Sequence, residues 1–204
     1  MKPIVATAAL ALFAVAGTAQ TQAPAQVQVQ VQVQTQPATY AIDPTHTFVT
    51  WEALHFGTST SRGRFDKKEG TVEFDRAGKT GKVDITIDMA SISTGVAPFD
   101  THLKGKDFFD VATHPTARFV ASGLAFDGSN VSQVAGTLTF LGKTGPVVLK
   151  ASRFNCYMNP FVKREACGGD FETTIQRSQW GSTYGLPGIP DNVRLLVQVE
   201  AIRQ

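Results

Sequence analysis

Over residues 83–89 the chain alternates without a break. Val83, Ile85, Ile87 and Met89 fall on one side, and Asp84, Thr86 and Asp88 on the other. Successive side chains of a strand point to opposite faces, so this stretch predicts a β-strand with one face buried and one in water. The rhythm returns over 192–202, where Val193, Leu195, Val197 and Val199 oppose Arg194, Gln198 and Glu200, with Leu196 the one apolar residue on the polar side. Shorter runs lie at 71–75, 117–122, 124–126, 133–141, 146–152, 154–157 and 169–177. Short turns join most neighbours, which predicts antiparallel pairing. No strand–helix–strand alternation appears, so a parallel sheet is not expected. Only 98–109 has weak helical spacing, limited by Gly105, and a second short helical turn fits near 178–184. An antiparallel chain of about eight strands predicts a closed barrel or a sandwich. Closure removes exposed edges, and a barrel of that size has just room for a slender ligand.

The longest candidate strand lies within 40–65. After the turn signal Asp43-Pro44, one set of alternating residues is Val49, Trp51, Ala53 and His55, and the other is Phe48, Thr50, Glu52, Leu54 and Phe56. Both sets carry apolar residues, which predicts one buried face and one partly covered face. A polar turn is expected over 57–63, with strand-like sequence resuming at Arg64-Phe65.

Ahead of this body lie two segments of another kind. Lys2 precedes an apolar run over 4–16, broken only by Thr7, and small residues follow at 17–19. That pattern predicts a secretory signal peptide over 1–19, too short to span a bilayer comfortably, with cleavage after Ala23 as the second choice. Residues 20–38 contain an uncharged Val/Gln alternation over 26–34. This tract reads as a mobile linker, an added edge strand or a self-associating zipper. Export gives the cysteines meaning. Cys156 and Cys167 are the only pair, so one intramolecular disulfide is expected, stapling a hairpin around Asn159-Pro160 for roughly 2–3 kcal/mol. As zinc ligands they are poorly spaced and lack a nearby histidine.

A formal charge of +2, with no basic run interleaved with aromatics, argues against nucleic-acid binding. No nucleophile elbow, phosphate loop or His-Glu-x-x-His is present. Asp43, His46 and Ser59 or Ser61 fall on one hairpin with nothing to present a nucleophile, so no enzyme is expected. His46, His55, His102 and His114 are too scattered for a metal site, and no cofactor is expected. His46 reads as closing the Asp43-Pro44 turn.

Four stretches in order then resemble the YceI-like family of exported, lipocalin-like barrels. They are 40–46 with 48–57 and 62–65; 106–110 running to His114-Pro115 and Phe119; 136–144 with Pro146-Val147; and Arg177-Ser178, Trp180-Gly181, Asp191 and 193–201. Together they cover about 39–204, taken as one barrel domain. Trp180 stands where the family usually has Phe, and His114 replaces a common Tyr. The resemblance implies an eight-stranded antiparallel barrel with one or two short helices. It also implies a periplasmic protein that sequesters or carries a polyisoprenoid, an isoprenoid quinone or a fatty-acid-like lipid, with a homodimer left open. The alternative is a structural or stress-related exported module with a filled barrel and a Val/Gln arm for self-association.

Under the carrier reading, parity places Val49, Trp51, Ala53, Phe74, Ile85, Ile87, Phe119, Leu138, Phe140 and Ile175 on the inner wall, with Val193, Leu195 and Val197 from the last strand. For any single residue, plain core filling is the competing role. His55 shares the parity of Trp51 and is expected at one end, as a head-group contact or a structural histidine. Leu103, Phe108 and Phe109 are expected to cap one end, and Trp180 is grouped with the ligand contacts. Arg62, Arg64, Lys104 and Arg177 either meet an anionic head group or simply face water.

Overall fold

A computed structural model describes residues 37–204. The expected signal peptide, and the linker up to residue 36, lie outside the described residues. The strands are β1 (Ala38–Ile42), β2 (Phe48–His55), β3 (Ser59–Phe65), β4 (Lys68–Asp75), β5 (Thr80–Asp88), β6 (Ile92–Ser93), β7 (Thr116–Asp127), β8 (Asn130–Phe140), β9 (Lys143–Met158), β10 (Glu165–Gln176) and β11 (Asn192–Arg203). One α-helix, α1 (Ala97–Leu103), overlaps the first half of the expected helical stretch and begins one residue before it, and a 3-10 turn covers Arg177–Trp180. Every pairing is antiparallel, and β1 pairs with both β4 and β11, which closes the sheet.

These segments form a closed barrel of 8 staves, because three staves are broken. β1 and β2 lie end to end along β11, pairing with its residues 201–203 and 194–198 respectively. β3 and β4 form the next stave, and β5 and β6 the third, interrupted at Met89–Ser91.

The first break is set by local chemistry. Asp43 accepts hydrogen bonds from the Thr45 amide (2.9 Å) and hydroxyl (2.6 Å), and its Oδ2 lies 2.7 Å from His46 Nδ1. Such a ring of short side-chain bonds turns the backbone at little cost. Thr47, almost fully buried, donates through Oγ1 to the Glu200 carbonyl (3.0 Å), so the ladder to β11 continues across the gap. Burial pushes the Asp43 carboxyl up, but the bonds from His46 and Thr45 outweigh it and hold it at about 2. The same contact raises His46 above its ordinary value. The reading of His46 as a turn closer agrees with this geometry.

The outer wall is polar and paired. Glu52 bridges Arg62 (2.7 Å) and Arg194 (3.2 Å), and Arg194 also meets Glu172, so one charge ladder crosses β3, β2, β11 and β10. Phe48, on the outward parity of β2, is covered by Arg64 and Lys68, 4.5 and 4.1 Å from its ring centre. That explains why both faces of β2 carry apolar residues. It also places Arg62 and Arg64 outside the barrel rather than at a head group.

At one end the β9–β10 hairpin carries the Cys156–Cys167 disulfide, whose residues pair directly across the strands. Beside it the Tyr40 hydroxyl donates to Glu165 at 2.5 Å. Burial, then this carboxylate, push the Tyr40 phenol up to about 12. Among the described residues, no helix is long and apolar enough to cross a membrane.

Candidate functional site: a two-chamber apolar lumen

Inward-facing residues line two cavities stacked along the barrel. The upper one, towards the β2–β3 turn, has a volume of about 780 Å3, and the lower one about 160 Å3. Val49, Ile87, Leu138 and Leu195 belong to both walls and form a waist between them. Leu54, His55, Phe56, His102 and Tyr184, around the upper chamber, are exposed, whereas none of the described residues lining the lower one is. The lumen therefore opens at the upper end. A chamber of 780 Å3 lies within the 300–1,000 Å3 typical of small-molecule sites.

The structure brings most of the sequence-predicted residues together here. Trp51, Ala53, His55, Phe108, Phe109, Phe140 and Ile175 line the upper chamber, and Phe74, Ile85 and Phe119 the lower one. Trp180 is the exception: it lines neither chamber. It sits in the 3-10 turn after β10, 2% exposed, and its Nε1 donates to the Leu138 carbonyl at 3.1 Å. Its ring rests over Gly145, where a Cβ would come within 3.0 Å. Trp180 is a core anchor, and the parity of a strand does not govern a residue in a tight turn.

The upper chamber is roofed by α1 and the segment after it. Phe109 reaches into the barrel and meets Phe65 and Phe140 at ring distances of 5.6 and 6.0 Å. Leu103 is almost fully buried beneath the helix. At the rim, Phe108 packs against His102 (4.8 Å) and Tyr184 (5.0 Å), while His55 stacks edgewise on Phe56 (4.8 Å). The cap expected from Leu103, Phe108 and Phe109 is thus in place.

Arg177 overturns the expectation that strand-end charges face water. It is 6% exposed. Its guanidinium donates from Nε to the Pro190 carbonyl (3.1 Å), from Nη1 to Ser182 O (3.0 Å) and from Nη2 to Ile189 O (2.8 Å). Burial pushes its pKa down, and the nearby Asp191 carboxylate opposes this. Asp191 is itself held by the Ser178 amide and hydroxyl, both at 2.7 Å. Arg177 thus clamps the 182–190 loop, whose Ser182, Tyr184, Gly185 and Ile189 form part of the chamber wall.

Several wall residues were not singled out from sequence. Phe65 and Ala117 continue the inward parity of their strands and were legible in principle, while Met89, already placed on the apolar face of 83–89, carries that parity into the 3-10 turn after β5. Phe56 was not: it belongs to the outward set, but its left-handed backbone (φ 48°) in the turn redirects it to the rim. Among the described residues, the one group of potential metal ligands is Cys156, Glu165 and Cys167. Both of its sulfurs are spent in the disulfide.

A closed antiparallel barrel of eight staves around an apolar lumen, with a roofed opening at one end, defines the lipocalin-like class of barrels. Within that class the chain belongs to the YceI-like domain family, whose model matches residues 40–201. A UPF0312 protein of Ectopseudomonas mendocina is 33% identical over 170 residues, covering 82% of this chain and 88% of its own. Among solved structures, BcnA of Burkholderia cenocepacia superposes with a TM-score of 0.66 at 28% identity, covering 78% of this chain and 99% of that one. A polyisoprenoid binding domain from Saccharophagus degradans, implicated in plant cell wall breakdown, shares the fold at a TM-score of 0.60 and 17% identity, over 83% of this chain and all of that one.

Proposed function

We propose that this protein is an exported, non-enzymatic carrier that shelters the apolar tail of a lipid, such as a polyisoprenoid, an isoprenoid quinone or a fatty-acid-like molecule, in its barrel. The observation that carries the reading is the upper chamber: about 780 Å3, open to solvent, and lined almost wholly by apolar side chains. A merely structural barrel of this size would fill that space, because interiors pack to crystal-like density and unfilled volume costs stability. Each methylene buried there contributes roughly 0.8 kcal/mol, so ten give about 8 kcal/mol before the costs of ordering the tail and of association. A long tail therefore binds without a charged contact. The apolar run over 4–16 supports export, and with the barrel it supports a periplasmic location.

Native mass spectrometry of the protein purified from its own host tests the reading. A bound mass of several hundred daltons, removed by organic extraction and regained on adding lipid, is expected. A clean apo mass together with no uptake of quinone, polyisoprenoid or fatty ligand refutes it.

A further inference from the structure

The β9–β10 hairpin ends in an apolar tip that the lumen does not use. Phe161 is 90% exposed and Met158 65%, and Tyr157 and Val162 are exposed beside them. None of these four lines either chamber. No charged residue occurs over 154–162, and Lys163 and Arg164 follow at once. Exposed apolar side chains gathered in one place mark a surface that something covers. Phe154 and Cys167, at the base of the hairpin, line the lower chamber, so the tip lies at the end opposite the mouth.

The backbone of the tip suits an apolar phase. The Asn159 amide donates to the Arg164 carbonyl (2.9 Å), and the Lys163 amide to the Asn159 carbonyl (2.9 Å). Asn159 Oδ1 accepts from the amides of Phe161 (2.9 Å) and Val162 (3.2 Å). Pro160 has no N–H. Every backbone donor over 159–163 is therefore satisfied within the turn, and none would be orphaned on leaving water. The same satisfaction leaves the tip no free amide for a partner strand, which argues against β-strand addition there. The Cys156–Cys167 disulfide ties the two arms just below the tip, so its shape is set before it meets anything.

The charges around the tip decide what kind of surface it fits. Lys163 and Arg164 are exposed, as are Arg76 and Lys79 after β4 and Arg203 at the end of β11. The register brings them to one end of the barrel: Ala38 pairs with Phe74, and Tyr40, which pairs with Arg203, donates to Glu165. None of the five cations forms an ion pair among the described residues. Against them stand Asp127, exposed on the β7–β8 turn, and the half-buried Asp75, Glu165 and Glu200. Those three accept hydrogen bonds from Gly78, Tyr40 and Tyr157 respectively. Unpaired cations around an apolar tip complement a bilayer with anionic head groups.

We propose that the β9–β10 tip is a membrane-docking element: Phe161, with Met158 and Val162, enters an anionic lipid surface while the cations around it meet the phosphates. The barrel is thereby held by the end opposite its mouth, and the neck faces the aqueous side. This docking does not depend on what the lumen holds.

The test uses the full chain and two kinds of vesicle, phosphatidylcholine alone and an equal mixture with phosphatidylglycerol. The wild type is expected to co-sediment with the mixed vesicles about tenfold or more strongly than with phosphatidylcholine, an advantage that about 0.5 M salt removes. On the mixed vesicles Phe161→Ala is expected to weaken partitioning about tenfold, and K163Q/R164Q about twentyfold. Tm should not move in either, because all three side chains are exposed. Phe161→Trp is expected to show a blue shift on the mixed vesicles beyond that of wild type, and quenching by brominated acyl chains. Failure of the wild type to bind the mixed vesicles, or unchanged binding by either Phe161→Ala or K163Q/R164Q, overturns the proposal. A Phe161→Trp variant that binds without the blue shift overturns it as well, since the tip then stays outside the lipid.

Discussion

Replacing Arg177 with Met keeps a long side chain but removes every side-chain hydrogen bond from residue 177 to the 182–190 loop. The structure sets the size of the effect. Three carbonyls lose a charged donor; Ser182 is buried, while Ile189 and Pro190 are half-buried and can recover water. Bonds from a charged donor contribute about 1.5–3 kcal/mol each, but burying the guanidinium offsets part of that gain, and Met avoids the cost. The net loss should be about 3 kcal/mol, or roughly 6–12 °C in Tm for a domain of this size. Equilibrium urea unfolding gives the stability change, and hydrogen exchange shows where it acts, with amides over 182–190 losing protection first. Lipid release should quicken, because Tyr184, Gly185 and Ile189 are chamber wall. Arg177→Lys should resemble Met rather than wild type, since an ammonium cannot span three carbonyls in a fixed fork. The clamp is wrong if Met leaves stability within about 0.5 kcal/mol. It is equally wrong if the Lys variant behaves as wild type and both variants differ only in affinity for anionic lipids.

Three further outcomes are expected. Replacing Cys156 and Cys167 together with Ser should cost about 2–3 kcal/mol in urea unfolding, given the sequence separation of 11, and a thiol titration finding two free thiols in the unreduced protein would remove the staple. The Asp43–His46 pair should support the first turn fully between about pH 4 and 6.5, where both groups carry charge even at their ordinary values. That support should fade as pH rises through the raised His46 pKa, and again as pH falls through about 2 at Asp43; with His46 exposed it amounts to under about 1 kcal/mol, and a pH series of Tm that is identical in Asp43→Asn contradicts it. Ile87→Asp places a charge in the waist and should abolish lipid uptake or folding; a folded variant that takes up lipid normally would mean the inward parity is misassigned.

The barrel was readable because its clean strands alternate strictly. β5 and β11 keep one apolar face from end to end, and the inner wall at Ile85, Ile87, Val193 and Leu195 follows from counting by twos. The breaks were not readable. β1 holds only five residues before the Asp43 turn, too few to show a period, so the turn looked like the start of a strand rather than an interruption within a stave. β3 was largely taken for a polar turn because its inward positions include Ser61 and Gly63. Gly63 is small for a reason on the facing strand: the Trp51 indole fills the space a larger side chain would need. Arg177 and Trp180 escaped because burial of a clamp or a ring in a 3-10 turn leaves no periodic trace.

The exposed rim residues gather around the upper chamber and none lines the lower one, so under the carrier reading this barrel works as a bottle and not a pipe. Under that reading, cargo would not be passed through from a donor at one end to an acceptor at the other. Loading and unloading share the neck between α1 and the 182–190 loop, so a second molecule cannot enter until the first has left. Exchange would then follow the intrinsic escape rate of the bound lipid, and raising the concentration of a competing lipid would not hasten it. A partner that speeds delivery must act on the neck itself.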